Sequence, residues 1–326
     1  MATYKEINSA GVQNFSSDPA NALNGQVWYN TTSSTLKVAE VSTSGSWATG
    51  GNMGTARYEL GGAGTQTAGL AFGGEADPDA TEEYNGTSWT NGGNMGTGRQ
   101  RLAGAGTQTA GLAIAGKIPA NSPSTTNATE EYGGTSWTNG GNMGTARYAL
   151  AGCGTQTAAL GFGGSTTPPY VQVTATEEYG GTSWTAGGNM SSARQHLSGA
   201  GTQTAALGFG GSPGPNKALT EEYNGTSWTN GGNMGTGRYN FSGGGTQTSA
   251  FGAGGFPGTA PIGKATEVYD GTSWTSSGNM NTGRFNLAAA GTVAAGLAFG
   301  GKITVSTNAT EEFTGPATTI TTVTTS

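Results

Sequence analysis

Residues 81–99 read Thr81-Glu-Glu-Tyr-Asn-Gly-Thr-Ser-Trp-Thr-Asn-Gly-Gly-Asn-Met-Gly-Thr-Gly-Arg99. Thr81–Tyr84 reads as a short strand. Asn85-Gly86 accepts positive φ and makes a tight hairpin turn into a second strand carrying Trp89. The segment recurs. Gly-Asn-Met places Met at 53, 95, 143, 190, 234 and 280, spacings of 42, 48, 47, 44 and 46 residues. Arg follows each Met by four residues, at 57, 99, 147, 194, 238 and 284, and Trp precedes each by six, at 47, 89, 137, 184, 228 and 274. Six copies at a period near 45 residues make a repeat architecture. Helical solenoids of this period need helix formers at 3.6 spacing, and these units are rich in Gly and Thr instead.

Each unit reads as four strands. In the first, strand A is Tyr58–Gly64, followed by a Gly-Thr-Gln-Thr turn at 64–67. Strand B is Ala68–Phe72, ending in Gly73-Gly74. After a variable loop come strand C, Thr81–Tyr84, and strand D with Trp89. Four strands per unit is the arithmetic of a β-propeller blade. The sixth unit has strands A to C but no Trp strand, whereas Trp47 has no A and B strands before it. Joining them yields six complete blades and removes the open sheet edges. The β-prone tail Thr318–Thr325 is a second candidate for the closing position.

Composition sets bounds. Gly is 62 of 326 residues, and Leu, Ile, Val and Phe together are only 39. That low apolar share raises the question of disorder, but a net charge of −6 and abundant aromatic residues favour a packed protein. No apolar run of 18 residues exists, which argues against membrane insertion, and the N-terminus is expected to lack a secretory signal. One Cys and one His exclude a disulfide framework and a Cys-rich or two-histidine metal site. Thirteen Lys+Arg argue against nucleic acid as partner. No cofactor is expected.

The repeat resembles the kelch repeat: an apolar strand ending in a Gly doublet, then a Tyr, then a Trp. The doublets are Gly73-Gly74, Gly163-Gly164, Gly210-Gly211, Gly254-Gly255 and Gly300-Gly301, with Ala115-Gly116 in the second copy. The Tyr residues are 84, 132, 179, 223 and 269, with Phe313 in the last copy. The resemblance covers about residues 47–313. It implies an all-β, six-bladed kelch-like β-propeller over 39–313, preceded by an N-terminal hairpin extension at 1–38 and followed by a Thr-rich tail at 314–326. Within 1–38, Gly25-Gln-Val-Trp-Tyr-Asn30 begins a hairpin that is similar to one near the start of bacteriophage tail and fibre proteins. That implies a virion protein, made in the host cytoplasm, whose N-terminal segment docks to other virion proteins.

The candidate chemistry is sparse. Glu pairs recur at 82-83, 130-131, 177-178, 221-222 and 311-312, with Glu267-Val268 in the fifth copy. Adjacent strand residues face opposite ways and form no acid–base pair. One Glu is expected to pair with the repeated Arg and the other to meet solvent. Gln66, Gln108, Gln156, Gln203 and Gln247 are read as turn caps, and Cys153 as a packing variant in a slot that is otherwise Ala or Gly. Two residues after each Arg stand Glu59, Arg101, Ala149, His196, Asn240 and Asn286, each followed by Leu or Phe. Alternation along strand A buries the apolar residue. The polar one either lines the mouth of a central channel or drifts freely in solvent.

The B–C loops carry the variation: 75–80, 117–128, 165–175, 212–219, 256–265 and 302–309. Asp77, Asp79, Pro168, Tyr170 and Phe256 are the loop residues proposed for contact. Strand alternation puts these loops and the D–A links on one face, and binding residues concentrate on loops held by a rigid scaffold. The resulting expectation is a non-enzymatic virion propeller with no catalytic residues, attaching to a host-surface glycan or protein. The alternatives are a decoration protein with drifting loops, and a polysaccharide-degrading enzyme using Asp77, Asp79 or His196.

Overall fold

The computed structural model describes residues 12–42, 44–119, 124–167, 170–212, 218–258 and 263–323. The chain divides into two units: residues up to Gly45 together with Pro316 onward, and Ser46–Gly315.

The larger unit is a six-bladed β-propeller. Among the described residues it holds six four-stranded antiparallel sheets, each built in the order A-B-C-D. In blade 1 these are Gly61–Thr65, Ala68–Phe72, Thr81–Tyr84 and Trp89–Asn91. The inner A strands, starting at Gly61, Ala103, Ala151, Ser198, Ser242 and Ala288, lie each against the next, and the last returns to the first. Blade 6 takes its outer strand from the start of the unit. Ser46–Thr49 pairs with Thr310–Thr314, setting Trp47 opposite Phe313. The tail is used elsewhere: Thr318–Thr322 pairs with Thr35–Val41 in the smaller unit.

The glycine content follows from the ring. A Cβ on Gly104 would stand 2.3 Å from the Gly62 carbonyl oxygen of the preceding blade. Real Cβ atoms never come that close, so a side chain there would push two inner strands apart.

Each seam between blades has its own apolar cluster. The one between blades 2 and 3 joins Leu112 and Ile114 to Met143, Leu150 and Tyr179, with Trp184 against it. The repeated Met and Trp are therefore seam residues. Every repeated Trp also donates its indole N–H to a Thr hydroxyl of the preceding blade at 2.9 Å, as from Trp137 to Thr81.

The repeated Arg is buried in all six blades. Arg147 donates Nη2 to Glu177 Oε1 at 2.9 Å and Nη1 to the carbonyls of Gly163 and Ala175. Glu177 Oε2 accepts the N–H of Gly144, which follows Met143. One guanidinium thus ties the D–A link to strands B and C. The first Glu of each pair does pair with Arg. The second does not simply meet solvent. Glu83 accepts the Tyr132 hydroxyl of the next blade at 2.5 Å, and Glu131, Glu178, Glu222 and Glu312 repeat the contact with Tyr179, Tyr223, Tyr269 and Tyr84. The glutamines are likewise stitches between blades rather than turn caps. Gln108 Nε2 donates to the carbonyls of Gly69 and Tyr84 in the blade before. The turn behind it is capped by Thr107 Oγ1, which accepts the N–H of Ala110.

Four departures from the repeat meet at one seam, between blades 5 and 6. Val268 replaces the second Glu, and Phe313 replaces the Tyr that would have donated to it. At the equivalent of Gly92, where a Cβ would lie 2.6 Å from the Tyr132 hydroxyl, Ser277 stands. Val293 replaces the Gln. Val268 and Val293 pack on a cluster that includes Trp47, Phe251 and Phe313. A seam without the hydroxyl needs neither its acceptor nor the glycine that makes room for it.

The smaller unit is a four-stranded sheet. Gln13–Phe15 runs parallel to Val27–Asn30, which pairs antiparallel with Thr35–Val41, the last strand being Thr318–Thr322. Trp28, Ala22 and Ala39 are buried, with Phe15 and Ile320 against them. Asp18 accepts from the Asn30 amide and, more weakly, from the Trp28 indole, which holds its carboxyl below the usual range. The hairpin expected in 1–38 is present, but its second strand runs to Val41 and gains the tail as a partner. The boundary therefore lies at Gly45 rather than at 38.

Candidate functional site

The site is built at the point where each D–A link enters strand A. The strands start later than alternation suggested, at Gly61 rather than Tyr58 in blade 1. Before each strand the backbone turns left-handed at a single residue: Glu59 (φ 60°), Arg101 (54°), Ala149 (53°), His196 (56°), Asn240 (56°) and Asn286 (53°). This turn, not the pleat of a strand, separates the polar residue from the buried Leu or Phe after it.

The six left-handed residues form a closed belt. Each N–H donates to the carbonyl of its counterpart in the preceding blade: Arg101 to Glu59, Ala149 to Arg101, His196 to Ala149, Asn240 to His196, Asn286 to Asn240, and Glu59 to Asn286. The lengths run from 2.7 to 3.2 Å. The belt fixes where the six side chains stand, around a central cavity of about 140 Å³.

Within the belt, Arg101 Nε lies 2.7 Å from Glu59 Oε2, and Asn286 Nδ2 lies 3.3 Å from Glu59 Oε1. The Glu59 side chain is 4% exposed and that of Arg101 33%, so the cation faces the opening. Burial, then the charge of Arg101, pushes the His196 pKa down to about 4, and the imidazole is neutral at pH 7. Asn240 Oδ1 is shielded from solvent without a well-formed hydrogen bond, though it faces His196 closely enough to act on it.

Outside the belt lies a rim that sequence reasoning missed. The residue after each repeated Arg (Tyr58, Gln100, Tyr148, Gln195, Tyr239, Phe285) bridges the residue after the Gly doublet of its blade. Four of those six are aromatic, a signal that was present in the repeat. Lys302 Nζ sits 4.6 Å from the centre of the Tyr58 ring, and Lys117 Nζ 5.1 Å from that of Tyr148. Phe256 belongs to this rim rather than to a free loop, with its ring 5.6 Å from Tyr239 and 6.4 Å from Phe285.

The other loop candidates do not converge. Asp79 is used locally, its carbonyl accepting from Met95 and its Oδ2 from Asn94. A shallow cleft beside it is lined by Glu75, Pro78 and Gln100, without Asp77 or Asp79. Tyr170 is 70% exposed, next to exposed Val171 in the loop hairpin of Ser165–Thr166 and Val171–Gln172. Pro168 lies outside the described residues. Cys153 is buried, its thiol pushed up to about 12 by burial. Among the described residues no three His, Cys, Asp or Glu side chains are grouped to hold a metal ion.

Belt, Gly-doublet strands and six blades define a kelch-like β-propeller. The chain is similar in fold to a solved structure described as "Structure of YjhT", a kelch-like propeller, with a TM-score of 0.67. The identity is 13%, and the match covers 83% of this chain and 99% of that one. No family model matches the chain, and no curated protein sequence matches it.

Proposed function

We propose that this protein is a non-enzymatic recognition propeller carried on a bacteriophage particle, attaching to a host-surface glycan or protein through its loop-bearing face. One observation carries the reading: the loop-bearing face varies between blades while the opposite face repeats. The A–B turns keep Thr-Gln-Thr in five of six copies. The B–C loops differ in length and content, and they carry Tyr170, Val305 and Ile303 as exposed apolar side chains. A rigid scaffold with loops diversified on one side lowers the ordering cost of binding. In this reading the hairpin unit of Trp28 and Asn30 docks the propeller to other virion proteins.

Immunogold labelling of particles tests the setting, with label expected at a tail or fibre tip. Label spread over a capsid favours decoration, and unlabelled particles defeat the virion reading. Incubation with host polysaccharide tests the activity, with binding expected and no released product.

A further inference from the structure

The polar belt contradicts the economy of the rest of the chain. Among the described residues, 24 glycines occupy positive φ. Side chains at positive φ are uncommon, and those of Glu, Arg and Ala are strained there. Glycine would fit all six belt positions at no such cost. None of the six is glycine, and five carry polar side chains around a cavity. Side chains retained at every position of the ring, with strain at Glu59, Arg101 and Ala149, call for a use.

The chemistry narrows the ligand. The one anion and one cation of the belt, Glu59 and Arg101, are paired at 2.7 Å and cancel. What remains is neutral and mixed: an imidazole and two carboxamides, each offering both a donor and an acceptor. Of these three, Asn240 Oδ1 is buried without a well-formed bond, as Glu59 Oε2 is within the ion pair. Hydroxyl groups, which donate and accept at once, match such a set. One water needs about 10–15 Å³ of cavity, so 140 Å³ takes about ten water-sized groups, near the twelve non-hydrogen atoms of one hexopyranose.

Resting on the recognition reading above, we propose that the belt of Glu59, Arg101, His196, Asn240 and Asn286 binds the terminal residue of a neutral glycan. The loops engage the rest of the chain, and the belt reads its end.

The test uses the full chain with glucose, galactose, mannose and N-acetylglucosamine as probes, and glucuronate as the acidic comparison. Saturation-transfer NMR is expected to show at least one neutral sugar bound and glucuronate bound more weakly. Glycine adopts the left-handed turn at both positions, so the variant Asn240→Gly/Asn286→Gly should keep its melting temperature within about a few degrees while sugar affinity falls at least tenfold. Absence of transfer from every neutral sugar overturns the proposal, as does tighter binding of glucuronate or undiminished affinity in the double variant. Retained binding of that variant to whole host polysaccharide, lost on exchanging the B–C loops, would sink the belt and leave the loop reading standing. Loss in both would leave the belt essential.

Discussion

Converting the seam between blades 1 and 2 into the type found between blades 5 and 6 tests the account of how blades are matched. Glu83→Val alone leaves the buried Tyr132 hydroxyl without its acceptor at 2.5 Å. An unsatisfied buried hydroxyl costs about 1–3 kcal/mol. Tyr132→Phe alone costs less, about 1 kcal/mol, because Glu83 is only half-buried and turns to water. The double variant removes both partners and should cost clearly less than the sum, with a coupling energy of about 1–2 kcal/mol. Gly92→Ser sharpens the test. In the parent chain its Cβ meets the Tyr132 hydroxyl at 2.6 Å and should cost about 1–3 kcal/mol by overpacking. With Tyr132→Phe in place, most of that cost should vanish. The assay is urea unfolding followed by Trp fluorescence, comparing midpoints at constant slope. Additive effects within about 0.5 kcal/mol would refute the claim that Val268, Ser277 and Phe313 compensate one another.

Four further outcomes are expected. Arg147→Met leaves Glu177 buried and unpaired and should destabilise by about 3–5 kcal/mol in the same assay, and Arg147→Lys should not restore the bonds to both Gly163 and Ala175. The His196 pKa is lowered in the fold, so the native state binds fewer protons than the unfolded chain between about pH 4 and 6.5. Stability is therefore full above pH 6.5 and falls on acidification towards pH 4, a slope that His196→Asn should flatten in melting scans. The five seam tyrosines are pushed up to about 12 by burial and their Glu partners, so the native state keeps protons that the unfolded chain loses above pH 10. Stability should fall from about pH 10 to 12, and tyrosinate absorbance should show these groups ionising late. Gln156→Ala removes the donor to the Gly111 and Tyr132 carbonyls and should cost about 1–2 kcal/mol by urea midpoint.

The blade plan was legible because its signals are local. Asn85-Gly86 selects a hairpin turn, Gly73-Gly74 supplies two positive-φ residues, and Ala68–Phe72 and Thr81–Tyr84 have the strand bounds expected from the turn residues around them. Counting Trp strands against A–B–C units pointed to Trp47 in blade 6 with the tail as a second candidate, and the pairing of Ser46–Thr49 with Thr310–Thr314 decides for Trp47. The start of strand A was misplaced because Tyr58-Glu-Leu60 alternates like a strand, and a left-handed residue such as Glu59 leaves no compositional mark. Gln108 and Glu83 were misread for a related reason. Their partners lie in neighbouring blades, Gly69 and Tyr84 for one and Tyr132 for the other. Nothing in a turn or a strand segment announces a partner 24 to 49 residues away.

The repeat, the four-strand unit and the number of blades are written in the chain, because turn chemistry and strand patterning act over a few residues. It takes the closed ring to bring Val268, Val293 and Phe313 into one apolar seam, with Ser277 at the glycine position beside it, and to join six left-handed residues in a belt around the axis. Both depend on bringing residues up to about 230 positions apart to hydrogen-bonding or van der Waals distance, as Glu59 and Asn286 are. That proximity arises when six inner strands close into a ring, and no single unit of the repeat contains it.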